Sequence, residues 1–356
     1  MAGQSGKVRV GIIGTGQIGK SHVRKYKEMP EVEVAAVADL REEEARRVAA
    51  EHGIPKVFTD YHEMLKVGEI DAVDVCLHNH FHRPATVAAL EAGKHVYCEK
   101  PMAATAADAR AMMEASRRTG KRLMVQMATV FTPEAQAARQ MIERGALGRV
   151  YYAKASHYRR RGRPYVDGYA SQAFVQKANS GGGALLDMGI YHMGMMVYLL
   201  GVPEVETVTA STFQEIPMDD ERRRDSGYSV EEFVTGMVRF RGDVTMFFEE
   251  AWASNMDGGT GDQVMGSLGG LKLNPLTFYG EHGGLVGDTP INVDMFKRQR
   301  QLMDPYAAAY DNPQVHWIHT LLGHTAFIDT GAVALKVAEI SEAMYRSAET
   351  RKEVVF

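Results

Sequence analysis

The chain has 356 residues, 45% of them apolar and 24% charged, with a formal net charge of −4. That is ordinary for a globular protein of about two domains. It excludes a fibrous chain and long disorder, and the near-neutral charge argues against a dedicated nucleic-acid binder. Two cysteines, Cys76 and Cys98, are too few for a disulfide framework, so a reducing, cytoplasmic compartment is expected. Residues 1–6 lack the apolar core of a secretory signal. The most apolar helix candidate, 184–202, carries Asp187 and His192 and does not read as a membrane span.

The first 127 residues alternate strand and helix signals. Strands are predicted over 7–13, 32–38, 71–77, 94–98 and 122–127, and helices over 17–28, 42–52, 61–66, 84–92 and 105–119. Such alternation means parallel βαβ units in a doubly wound sheet. After Ala128 the rhythm changes. Helices are predicted over 133–144 and 184–200, and strand candidates over 150–157, 205–213, 230–240, 244–252 and 271–279 follow one another with few helices between. That pattern implies a mostly antiparallel open sheet. Helical signals return over 315–322 and 330–347, and the Gly-rich stretches 257–270 and 280–288 read as loops. The predicted fold is therefore α/β: a Rossmann domain over 1–127 and an α+β domain for substrate binding and self-association over 128–356.

Gly14-Thr15-Gly16-Gln17-Ile18-Gly19 is a complete G-x-G-x-x-G between the first strand and the first helix. The glycines permit a tight turn and close approach of a pyrophosphate, and the helix N-terminus favours its charge. Asp39 ends the second strand, 20 residues after Gly19. A carboxylate there accepts the adenosine ribose hydroxyls and repels a 2′-phosphate, which favours NAD over NADP. Arg41 nearby softens that preference.

Three further segments carry chemistry: 77–82 (LHNHFH), 98–101 (CEKP) and 181–192 (GGGALLDMGIYH). The first two follow strands, where ligands of open α/β sheets bind. Asp187 and Tyr191 are four apart on a predicted helix and share a face. A lysine, an aspartate and a tyrosine near a nicotinamide suit alcohol oxidation. The tyrosine, with a reference pKa of about 10, needs a cation such as Lys100 to act as a base near neutrality.

With these motifs the chain resembles the glucose–fructose oxidoreductase / inositol dehydrogenase / MocA family over nearly its whole length. The fingerprint at 14–19 and the stretches 91–103 (EAGKHVYCEKPMA), 133–150 and 181–192 carry the resemblance. It implies that Lys100 contacts substrate and nicotinamide, with Pro101 following a cis peptide that aims it. It also implies that Asp187 is a substrate or catalytic ligand, and that Asn79, His82 and Glu99 lie on the cofactor side. Most members have a histidine acid/base where this chain has Tyr191. His192 is one residue further, about 100° around a helix. Tyr191 is preferred as the acid/base, with His192 as the runner-up. Two departures, Leu77-His78-Asn79 for a Thr-Pro-Asn and 126–131 (QMATVF) for an arginine- or aromatic-rich stretch, imply a different substrate pocket.

Arg163, His157 and Trp252 are counted as substrate contacts, with packing or solvated roles as their alternatives. His78, His80 and His82 alternate, but no carboxylate or cysteine completes a coordination set, so no metal is expected. The predicted activity is reversible hydride transfer from a secondary alcohol of a sugar, glycoside or polyol such as a cyclitol. One alternative is a glycosidase or epimerase that recycles tightly bound NAD through a keto-sugar, and another is a non-catalytic NAD-dependent sensor. The expected assembly is a homodimer or homotetramer through the C-terminal sheet, with neither nucleic acid nor membrane as partner.

Overall fold

The protein is described by a computed structural model covering residues 6–356. Its contacts divide it into two units. One runs to Phe131 and takes in Gln299–Leu335; the other is Thr132–Arg298 with Lys336–Phe356. The first break thus falls four residues beyond the expected boundary, and the expected second domain is discontinuous.

In the first unit, β1 (Val8–Ile13), α1 (Gln17–Lys27), β2 (Val32–Ala38), α2 (Glu42–His52), β3 (Lys56–Phe58) and α3 (Tyr61–Leu65) form one half. The other half is β4 (Ala72–Val75), α4 (Asn79–Glu91), β5 (His95–Cys98), α5 (Ala106–Thr119) and β6 (Leu123–Val125). The strands are parallel in the order β3-β2-β1-β4-β5-β6. Local chemistry explains the helices well. In α2, Ala45, Val48 and Ala49 recur at the spacing of one face and are buried. Glu42, Glu43 and Glu44 occupy its first turn, where negative charge suits the helix dipole, and Gly53 ends it at φ 60°.

Two elements here differ from expectation. β3 is a three-residue strand too short to show a pattern. α4 starts at Asn79 rather than residue 84 and includes Pro84, because tertiary contacts of His82 fix its first turn.

The segment 299–335 joins this unit by covering the open edge of β6. The Thr330 hydroxyl accepts from Val125 N and donates to Val125 O. The fully buried Trp317 of α11 (Pro313–Leu321) packs 6.1 Å from the Tyr97 ring. An exposed strand edge invites foreign pairing, and this cover removes it.

The second unit contains α6 (Pro133–Glu143), β7 (Val150–Tyr158), α7 (Lys177–Ser180), a π-helical turn at Leu185–Gly189, α8 (Ile190–Leu199), β8 (Val205–Phe213) and α9 (Asp220–Ser226). β9 (Phe233–Phe240), β10 (Val244–Ala251), β11 (Gln263–Gly266), β12 (Gly269–Leu273), β13 (Leu276–His282) and β14 (Leu285–Pro290) follow. The unit also takes the start of α10 (Val293–Met303), the part of α12 (Thr330–Thr350) from Lys336 onward, and β15 (Val354–Val355). Nine strands form one sheet, antiparallel except where β7 pairs with β10.

The Gly-rich stretches hold β11, the start of β12 and β14 rather than loops only. The single strand expected over 271–279 is two, joined by a turn at Asn274-Pro275. Strand alternation divides the sheet into two faces. Ala153, Ala155, Met246, Phe248 and Val264 are buried on one. Phe247, Met265 and Tyr279 lie on the other and are 40%, 39% and 40% exposed. Among the described residues, no helix is long and apolar enough to cross a membrane.

Candidate active site

The nucleotide turn lies at the carboxyl end of β1. Gly14 has φ +94°, and a Cβ there would sit 2.4 Å from Cys76 O; one on Gly19 would sit 2.0 Å from Gly14 O. The protein's own backbone therefore requires both glycines. Gly16 is different: a Cβ there would meet nothing within 4 Å. It caps α1 without a side-chain cap, and no acidic residue stands in the first turn. A bare helix N-terminus beside an unfilled glycine position fits a pyrophosphate. Gln17 opens α1, and Ile18 is 51% exposed.

Asp39 is tied to this turn. Its Oδ2 accepts from Thr15 N at 2.8 Å and Thr15 Oγ1 at 2.9 Å, and its Oδ1 accepts from Arg41 N at 2.9 Å. Partial burial opposes its charge, but the backbone N–H groups of Arg41 and Thr15 outweigh that and lower its pKa. The carboxylate is held ionised beside the glycine turn.

Beneath the turn lies a cluster that sequence reasoning missed. His22 of α1 is buried, with Nδ1 2.9 Å from Asp74 Oδ2 and Nε2 3.0 Å from Glu99 Oε1. Burial works against the charged imidazole, yet Asp74 and Cys76 outweigh it and raise its pKa well above the usual histidine range. Glu99 Oε2 accepts from Lys100 N at 3.0 Å. His22 thus links the nucleotide helix to the residue before Lys100. Only its place on the buried face of α1 could have signalled it.

Lys100 is half-buried just past β5, and the Lys100–Pro101 peptide is cis. Asn79 is the first residue of α4. His82 departs from expectation. It is fully buried, with Nδ1 2.8 Å from Pro101 O and Nε2 2.8 Å from Leu77 O. Without exposed surface it joins two segments rather than touching a cofactor. His78 and His80 are exposed, and α4 separates the three histidines expected to alternate.

In the second unit, Gly183 brings the chain against Glu231, where a Cβ would sit 1.9 Å from Glu231 O. The Glu231 carboxylate accepts from Gly183 N and Leu185 N at 2.9–3.0 Å. The π turn follows, with Ile190 N–H bonded to Leu185 O, five residues back. This wider turn shifts the four-residue register expected to align Asp187 with Tyr191; π turns recur at functional sites. Asp187, Tyr191 and His192 are all half-buried.

Several residues converge on Asp187 and His192. Trp252 Nε1 donates to Asp187 Oδ2 at 3.2 Å. Trp252 is itself 0% exposed, so it positions Asp187 and does not reach a substrate. His157 and His192 stack with ring centroids 3.4 Å apart and share Asp262, at 2.9 Å from His157 Nε2 and 3.4 Å from His192 Nδ1. Burial opposes the charge of Asp262, but the hydrogen bonds of His157 and His192 outweigh it and lower its pKa. Glu250 pairs in register with His157 on this face, and burial, with Asp262 and Asp187 near, raises its pKa well above the carboxylate range. No local motif in the sequence marks Asp262 or Glu250.

Arg163 also departs from expectation. It is 2% exposed, bonding Asp167 and Glu232 at 3.0 Å and the carbonyls of Ile216 and Pro217. Its guanidinium is consumed by the interior. Arg159 instead approaches the site, with Nη2 3.1 Å from the Met188 sulfur, beside Asp187.

Comparison with known proteins decides the lineage. Residues 8–127 match the model described as "Oxidoreductase family, NAD-binding Rossmann fold" of GFO/IDH/MocA, and 135–286 match the GFO/IDH/MocA C-terminal domain. The chain belongs to the GFO/IDH/MocA oxidoreductase family. It is 32% identical to the D-glucoside 3-dehydrogenase of Escherichia coli, covering 98% of both chains. Over 57% of its length it is 30% identical to the myo-inositol 2-dehydrogenase of Thermotoga maritima, covering 58% of that protein. The fold matches a levoglucosan dehydrogenase solved with NADH at TM-score 0.80 and 23% identity, covering 98% of this chain and 99% of that one.

Proposed function

We propose that this family member is an NAD-dependent oxidoreductase that oxidises a secondary alcohol of a sugar, glycoside or cyclitol. The observation that carries the reading is the open cradle at Gly16 beside the anchored, ionised Asp39, in a chain that also has Lys100, Asp187 and Tyr191 at the family's reactive positions. Asp39 at the ribose favours NAD over NADP. Full-length similarity to a D-glucoside 3-dehydrogenase supports a glycoside within the substrate class.

When bound, NAD supplies the hydride acceptor. Lys100 supplies positive charge to the forming carbonyl oxygen. Asp187, oriented by Trp252, holds a substrate hydroxyl. Tyr191 takes the hydroxyl proton as general base, with His192 as the alternative acid/base. Glu99, Asn79, Gly14, Gln17, Ile18 and Gly19 form the cofactor side, and His157 stands at the substrate side.

Self-association is part of this reading. The outer sheet face exposes Phe247, Met265 and Tyr279 among polar residues such as Lys154 and Glu249, and a second copy would cover it as a homodimer or homotetramer. A cytoplasmic location is supported by two free cysteines, Cys76 and Cys98. The test is NADH formation at 340 nm across a panel of sugars, glycosides and inositols, with product analysis of the same samples. A ketone formed with NADH supports the reading. Substrate loss without NADH overturns it in favour of recycled cofactor.

A further inference from the structure

His157, on β7, and Glu250, on β10, are opposed in the parallel ladder and share the inner face of the sheet. Asp262 immediately precedes β11, which pairs with the other side of β7. α8 carries His192 to the same place. The fold thus assembles two imidazoles and a carboxylate from positions 70 and 105 residues apart.

We propose that His157 Nε2, His192 Nδ1 and the Asp262 carboxylate form a site for one divalent cation of the zinc, cobalt or nickel class. The three ligand atoms lie within 4.8 Å of one another. His157 Nε2 lies 2.9 Å from Asp262 Oδ1, and His192 Nδ1 lies 3.4 Å from Asp262 Oδ2. Tetrahedral bonds of about 2.0–2.1 Å put neighbouring ligand atoms about 3.3 Å apart, so the two histidine–carboxylate separations are near what an ion needs, while the rings, stacked at 20°, must tilt apart for both nitrogens to face it. Two nitrogens and one oxygen suit borderline cations better than calcium or magnesium.

Glu250 is the independent observation. Its Oε2 is buried with no hydrogen-bond partner and lies 4.0 Å from His192 Nε2, the nitrogen facing away from Asp262. Metal-ligating histidines commonly direct their second nitrogen at an outer carboxylate. A cation on Nδ1 would fix the Nε2–H tautomer and direct it at Glu250. With three protein ligands, a fourth position stays open. His157 and His192 are 28% and 17% exposed at the side chain, so water or a polyol hydroxyl would fill it.

The test is titration of chelator-treated, full-length protein with Co²⁺ alone, without NAD or sugar. We expect about one equivalent bound per chain, with a visible ligand-field band displaced by Zn²⁺. His192→Ala and Asp262→Asn should each weaken binding by about 100-fold or more. Circular dichroism confirms their folding, and if Asp262→Asn does not fold, His192→Ala alone decides. No band with the wild-type protein, or equal uptake by His192→Ala, overturns the proposal and leaves a hydrogen-bonded cluster only. Because the readout involves no turnover, its failure leaves the oxidoreductase reading intact.

Discussion

The Trp252 indole N–H donates to Asp187 Oδ2 at 3.2 Å, from a side chain with no exposed surface. A hydrogen bond to a charged acceptor contributes roughly 1.5–3 kcal/mol, so this contact can fix one rotamer of a partly exposed carboxylate. Trp252→Phe keeps a ring and loses the donor. It should lower kcat about tenfold with a smaller change in NAD affinity, read by steady-state kinetics and cofactor titration. Unchanged kcat would remove Trp252 from the positioning of Asp187.

Lys100→Ala should cut turnover by about 100-fold or more, the scale of one acid/base or oxyanion contact. NAD affinity, measured by calorimetry, should change only a few-fold. Near-normal turnover with binding intact would contradict a catalytic Lys100.

Asp39→Ala removes the ribose acceptor and the repulsion of a 2′-phosphate. The ratio of NADP to NAD affinity should rise by about tenfold or more, the scale of one hydrogen bond to a charged group. An unchanged ratio would mean that Asp39 only braces the loop through Thr15.

Arg163 lies between Asp167 and Glu232 in the interior. Deleting one partner of a buried ion pair costs about 3–5 kcal/mol. Arg163→Ala should therefore lower denaturant stability by that amount. Unchanged stability with a raised KM would restore it as a substrate contact.

His22 predicts a pH signature. Its folded pKa is raised above the unfolded value of about 6.5, so its contribution to stability is complete below pH 6.5. It is lost as pH rises toward the folded pKa. The stability gap between wild type and His22→Gln should shrink above pH 6.5 by up to about 1.4 kcal/mol per pH unit. Urea melts at pH 6, 7.5 and 9 measure it, and a constant gap would show that the imidazole is neutral when folded.

The nucleotide half of the site was legible because its determinants are local. Gly14, Gly16 and Gly19 fall within one turn, and Asp39 directly follows a strand whose predicted and observed limits agree, Val32–Ala38. Tertiary contacts hid other features. α4 begins before Pro84 because His82 is clamped by two carbonyls from outside the helix. β11 looked like a loop because Gly266 is demanded by close approach, with a Cβ there 2.1 Å from Leu147 O. Asp262, Glu250 and His157 meet only through the register of a nine-stranded sheet, which no spacing in the chain records. The π turn at Leu185–Gly189 likewise has no signature in the apolar pattern, which predicts a regular helix.

The most direct test of the central claim is absorbance at 340 nm when the protein and NAD meet a panel of glycosides, free sugars and inositols, with Lys100→Ala in parallel. The account predicts a rise in NADH matched by a keto-sugar product, lost in the variant. Substrate consumed without NADH, or NAD bound with no turnover across the panel, would contradict it.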